Sequence, residues 1–127
     1  MSKKTHAERN ERLCLTLLEQ GEYHDWVVTT SFYSALHFVQ HEIFPLNDGR
    51  REYGTFDSYY NSIGHNKVSK HKLTIQLVRE HLPDAAGSYK WLHDTCITAR
   101  YQNYAIPDRI SAKAVEHLNK IKEVLVK

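Results

Sequence analysis

The chain is poor in the residues that staple small proteins together and in those that break them into pieces. Among 127 residues it has two cysteines, three prolines and five glycines. Cys14 and Cys96 fit neither a disulfide framework nor a zinc signature. So few prolines and glycines leave little room for linkers or low complexity, and one folded domain over residues 1–127 is expected. No apolar run reaches the roughly 18 residues that a membrane span needs. The basic start, Met1-Ser2-Lys3-Lys4-Thr5-His6, leads into no apolar signal-peptide core, so a cytoplasmic location is expected. Charge of one sign is also lacking, because 17 Lys and Arg oppose 15 Asp and Glu. That near balance neither requires nor excludes a polyanionic partner, since local patches outweigh the sum.

What the chain has instead is helical periodicity and nine histidines. Thr5, with Glu8 three residues on, reads as the start of a first helix, with Leu13, Cys14, Leu17 and Leu18 as its apolar side and Gly21 as its end. A second helix runs from about Tyr23 to Phe44, where Pro45 stops it. On it Val28, Phe32, Ala35, Val39 and Ile43 recur at helical spacing as a core stripe. Trp26, Thr30, Tyr33, His37 and His41 form a second stripe roughly opposite. Such a helix is either central to its bundle or shared with a partner subunit.

Residues 45–67 form a connection far longer than usual, with a short helical turn expected near Asp57 to Ser62. A third helix, about Val68 to Leu82, is expected to align His71, Ile75, Val78 and Leu82. Pro83-Asp84 opens a fourth that reaches about Tyr104, with Tyr89, Leu92, Cys96 and Ala99 facing inward. Asp108 or Ser111 caps a fifth, whose Ile110, Ala114, Leu118, Ile121 and Leu125 turn to the core. No strand signal competes. The fold class expected is all-α, a five-helix antiparallel bundle framed by the first, second, fourth and fifth helices.

Three segments in order, Asp25-Trp26 through Phe32-Tyr33-Ser34-Ala35-Leu36-His37, then Ser69-Lys70-His71, then Leu82-Pro83 through Tyr89 to Ala99-Arg100-Tyr101, make the chain resemble the HEPN superfamily of small helical bundles. The resemblance covers roughly residues 6–104 and is closest to the stand-alone prokaryotic members. It implies a homodimer that binds or acts on RNA or nucleotides, and in many relatives a metal-independent endoribonuclease of toxin or defence type. The nuclease motif of such proteins is an Arg and a later His with four to six residues between them. Here Ala105, Ile106 and Pro107 stand where the His would follow Arg100, and no other Arg has a His at that spacing.

Cleavage of RNA without a metal needs a base for the 2′-hydroxyl, an acid for the leaving oxygen and a cation for the phosphorane. His37, His71, His93 and Arg100 are the candidate catalytic residues. Tyr33, His37, His71, Arg100 and Tyr104 are the candidate binding set. The favoured structural readings are an Arg100 pair with Asp25 or Asp94, a His37 hydrogen bond to Tyr33 or a backbone carbonyl, and a His71 that caps or lines the bundle. His37 and His41 share a helix face, but no Asp, Glu or Cys completes a ligand set, so neither metal nor cofactor is expected. Arg50 to Tyr60 interleaves basic and aromatic residues, which either stack unpaired bases or dock the aromatics on the bundle, the second being favoured. Three functions follow. The leading one is a dimeric binding module for RNA, a nucleotide or a protein partner. The others are a ribonuclease using Arg100 with His37, His71 or His93, and an interaction subunit with no ligand site.

Overall fold

The computed structural model describes residues 2–63, 68–102 and 105–126. Six helices carry almost all of it: α1 (Lys3–Gln20), α2 (His24–Ile43), α3 (Phe56–Ser62), α4 (Lys70–His81), α5 (Pro83–Tyr101) and α6 (Asp108–Leu125). Among the described residues the only strands are β1 (Leu46–Asn47) and β2 (Glu52–Tyr53), an antiparallel pair between α2 and α3. The protein is therefore all-α. The helix beyond the expected five is α3, the short segment anticipated near Asp57 to Ser62.

Local chemistry sets the helix ends. Ser2 Oγ accepts from the Thr5 N–H at 3.1 Å and starts α1, so Thr5 sits inside the first turn and is not its cap. Gly21 closes α1 at φ 75°, a left-handed conformation that glycine adopts without steric cost. Ser69 starts α4 by accepting from the Lys72 N–H, and Pro83 opens α5 where its missing N–H costs nothing. Neither Asp108 nor Ser111 caps α6. Pro107 stands at the cap, and Ser111, fully buried, donates to the Asp108 carbonyl at 2.8 Å.

The helix directions follow from cross-helix bonds. Ser34 of α2 donates to the Ala7 carbonyl and Ser31 meets Cys14, so α1 and α2 run antiparallel. His24 meets Ser111, and the Lys122 ammonium lies over the Phe38 ring further along, so α6 runs parallel to α2. His117 bonds Ser88 and Lys113 lies over Trp91, which sets α5 antiparallel to α6. Helix α2 packs against α1, α4, α5 and α6 and is the centre of the molecule. Its stripe of Val28, Phe32, Ala35, Val39 and Ile43 is buried as the spacing predicts, and so is that of Tyr89, Leu92, Cys96 and Ala99 on α5. Each large apolar side chain so removed from water contributes about 1.5–3 kcal/mol.

Three faces differ from the sequence reading. On α1 Leu13, expected on the apolar side, is exposed, while Cys14 is buried and Leu17 and Leu18 are half-buried. On α4 the buried residues are Leu73, Thr74, Leu77 and Val78, while His71, Ile75 and Leu82 are half-buried at the rim. The stripe is rotated because the hydroxyl of Thr74, read as polar, is satisfied inside by the Lys70 carbonyl at 2.8 Å and by Gln40 at 3.3 Å. On α2 the second stripe divides: Thr30 is buried, Tyr33 and His37 are half-buried, and Trp26 and His41 are exposed.

Candidate functional site

Three helices that are distant in sequence bring their polar groups around one buried ring. Phe32 of α2 is 1% exposed, and the rings of Tyr33, His71, Tyr89 and His93 pack about it at centroid distances of 5.3, 5.6, 5.7 and 5.6 Å. His71 from α4 and His93 from α5 face each other at 5.5 Å. Arg100, two helical turns along α5 from His93, donates from Nη1 to the Tyr33 hydroxyl at 2.7 Å. Its guanidinium carbon lies 5.9 Å from the Tyr33 ring centroid and 5.2 Å from that of Tyr101. Tyr33, His71, His93 and Arg100 are thus one cluster, whereas Tyr104 lies outside the described residues.

Arg100 does not take the expected carboxylate. Among the described residues no ion pair joins it to an Asp or Glu. Asp94 is occupied by Lys90 at 2.7 Å and by His93 Nδ1 at 3.0 Å. Against the upward pull of partial burial, these hydrogen bonds and charges hold the Asp94 carboxyl below its ordinary range. Among the described residues the Arg100 fork, which can offer two parallel N–H groups to a phosphate, has a neutral phenol as its hydrogen-bond partner and no carboxylate.

The histidines fall into two kinds. His93 Nδ1 meets a carboxylate that accepts only, so its proton sits on Nδ1 and its Nε2 carries the lone pair. His37 and His71 instead have a fully enclosed Nδ1 without a hydrogen-bond partner. An orphaned N–H there would cost more than an orphaned lone pair, which assigns the proton to Nε2 in both rings. Burial pushes His37 down to about 4, helped by the nearby charges of Lys3 and His6, whose ring stacks on it at 5.2 Å. Burial also lowers His71, with His93 and Arg100 adding to the effect. At neutral pH both rings are therefore uncharged N–H donors. The expected bond of His37 to Tyr33 or to a carbonyl is not made at its enclosed Nδ1.

Two grooves open beside this cluster and share His71. One, about 320 Å³, is lined by Lys3, His37, Lys70 and His71, with Leu36, Phe56, Asp57 and Thr74 among its walls. The other, about 650 Å³, runs between α4 and α5 past Lys72, Ile75, Arg79, Lys90 and His93. These lysines escaped the sequence reading, since each alone looks like a solvated helix face. Along α4 only Lys72 and Arg79, seven residues apart, share a helix face, and Lys70 projects from the other side. The segment Arg50 to Tyr60 docks its aromatics: Tyr53 and Phe56 are buried, and Phe44, Tyr59 and Tyr60 pack with them. Bases cannot stack on rings so covered. Cys14 and Cys96 are buried, with thiols pushed up chiefly by that burial, so neither is a nucleophile.

Among the described residues no three His, Cys, Asp or Glu side chains converge as a metal site, and no helix is long and apolar enough to cross a membrane. No family model, no curated protein and no solved structure matches the chain, so the site is read from its own chemistry.

Proposed function

We propose that this chain is a dimeric, HEPN-like binding module that holds a phosphate group of RNA or of a nucleotide beside Tyr33, His71, His93 and Arg100. The observation that carries the reading is the Arg100 guanidinium, oriented by Tyr33 and left without a carboxylate. A half-buried Arg is normally paired, and a phosphate would complete both its hydrogen bonds and its charge. The Nε2–H of His71 and the cationic groove walls add donors of the same sign preference. An acidic protein segment could use the same charges, but the close set of Arg, Tyr and two His suits a compact, doubly accepting group better than a dispersed acidic surface. The test is fluorescence anisotropy with labelled single-stranded RNA and with nucleotides, alongside sedimentation of the free protein. A salt-sensitive complex weakened by Arg100→Ala, formed by a dimer, is expected. A monomer that binds neither ligand would remove the proposal.

A second reading, a metal-independent ribonuclease, draws support from the Asp94–His93 pair, which resembles the carboxylate-oriented base of acyl-transfer enzymes in its geometry. His93 Nε2 could accept the 2′-hydroxyl proton. The acid for the leaving oxygen is the weak point, because a neutral imidazole such as His71 at pH 7 holds its proton too tightly to donate it. Binding is for that reason the better account.

A further inference from the structure

The groove about Lys3, His37, Lys70 and His71 carries features that a single phosphate beside Arg100 does not use. Two lysines from different helices, α1 and α4, converge on it, together with two histidines whose proton is assigned to Nε2. One carboxylate, Asp57, lies at the rim and touches Lys70 at 3.5 Å. Both partners of that pair are about 60% exposed, so the contact contributes little and exchanges readily for a phosphate. Lys70 also lies 5.6 Å from the Tyr60 ring centroid, which keeps its side chain along this wall. Leu36, half-buried, supplies an apolar edge on which a ribose can rest.

His71 belongs to this groove and to the larger one between α4 and α5, so the two are neighbouring segments of one track around the start of α4. Lys3 and Lys70 line the first segment, and Lys72, Arg79 and Lys90, the last paired with Asp94, line the second, with Ile75 as its apolar strip. A mononucleotide would engage one segment only. A flexible chain with a phosphate at every unit would engage both.

We infer that the Lys3–Lys70 groove is a second phosphate subsite, and that the ligand is a single-stranded oligoribonucleotide whose backbone passes over His71 from one groove to the other. The inference rests on the phosphate-binding reading of the Arg100 cluster and names the ligand class of that site. A duplex is too stiff and broad to enter grooves of about 320 and 650 Å³ on both sides of one side chain. A single strand bends at each sugar and presents its phosphates singly.

The experiment uses the full chain and labelled oligoadenylates of one, two, four and eight nucleotides, titrated over a range of salt. Wild type is compared with the Lys3→Ala/Lys70→Ala double variant and with the charge-preserving Lys3→Arg/Lys70→Arg. Melting curves check that each is folded. Wild-type affinity is expected to rise with length. The alanine pair should lose roughly tenfold on the eight-mer and little on the mononucleotide, with a salt slope smaller by about 1. The arginine pair should retain the wild-type length dependence. Equal affinity of wild type and the alanine pair at every length would overturn the second subsite and leave the Arg100 site standing. No binding of any length by the wild type would overturn both.

Discussion

Arg100 Nη1 lies 2.7 Å from the hydroxyl of Tyr33, so a cation on α5 is aimed by a phenol 67 residues earlier, on α2. The bond links the two helices whose apolar stripes form most of the core, and it holds the guanidinium against the Tyr33 and Tyr101 rings. Tyr33→Phe removes the orienting group and keeps the ring. We expect a loss of about 1 kcal/mol in stability by urea unfolding, within the range for one hydrogen bond. Affinity for single-stranded RNA should drop about tenfold. Unchanged affinity would mean that Arg100 reaches its ligand without Tyr33.

Arg100→Ala leaves the fold intact, because the side chain is only half-buried and its neighbours remain packed. The salt dependence of binding should weaken by about 0.7 in slope, the value for one phosphate contact on a single strand. Titrations at several salt concentrations measure it directly. A slope identical to wild type would place the phosphate elsewhere.

Acid should destabilise the protein through His37. Its pKa is lowered on folding to about 4 from the usual 6.5, so the unfolded chain takes up a proton that the folded chain refuses. The corresponding stability is complete above about 6.5 and is lost as pH falls toward 4. Melting temperatures at pH 7.5, 6, 5 and 4 for wild type and His37→Gln test this. The wild-type decline should be the steeper, and parallel curves would assign the acid sensitivity to other groups. The lowered His71 has the same sign. For both histidines, a gain in phosphate affinity from protonation belongs below the ordinary imidazole range, whereas Arg100 acts throughout.

Tyr89 is 1% exposed and its hydroxyl has no hydrogen-bond partner, while burial pushes its pKa far above the phenolic range. Removing a buried unsatisfied donor is neutral or favourable. Tyr89→Phe should therefore leave urea stability unchanged or raise it by about 1 kcal/mol. Phe32→Ala, by contrast, should cost about 3–5 kcal/mol and scatter the rings of Tyr33, His71 and His93 that rest on it. Near-UV circular dichroism would register the second change and not the first.

If the ribonuclease reading is right, Asp94→Asn should abolish cleavage of end-labelled RNA on a denaturing gel without added metal, because the Asn amide can donate to His93 Nδ1 and favour the other tautomer, and it carries no charge to stabilise the protonated ring. The expected result is intact RNA with wild type and variant alike. Cleavage by wild type alone would reverse the order of the two readings.

Much of the architecture was legible along the chain. Helical spacing identified the core stripes of α2 and α5, Gly21 and Pro83 marked helix boundaries, and the absence of strand periodicity indicated an all-α protein. These are local features: an amphipathic repeat or a left-handed glycine is decided within a few residues. Misreadings arose where a polar group is satisfied from outside its own helix. Thr74 turns inward because Gln40 meets it, and Ser111 lies buried because His24 meets it, neither partner being near in sequence.

The site followed the same division. Residue type nominated Tyr33, His37, His71, His93 and Arg100 as chemically capable. Only the packing of α4 and α5 against α2 decided that Tyr33, His71 and His93 surround Phe32, that Arg100 meets a phenol and no carboxylate, and that His37 and His71 have their Nδ1 atoms sealed. It alone placed Lys3 beside Lys70. Charge pairing, desolvation and groove shape are relations between groups distant in sequence, and a periodic pattern carries no record of them.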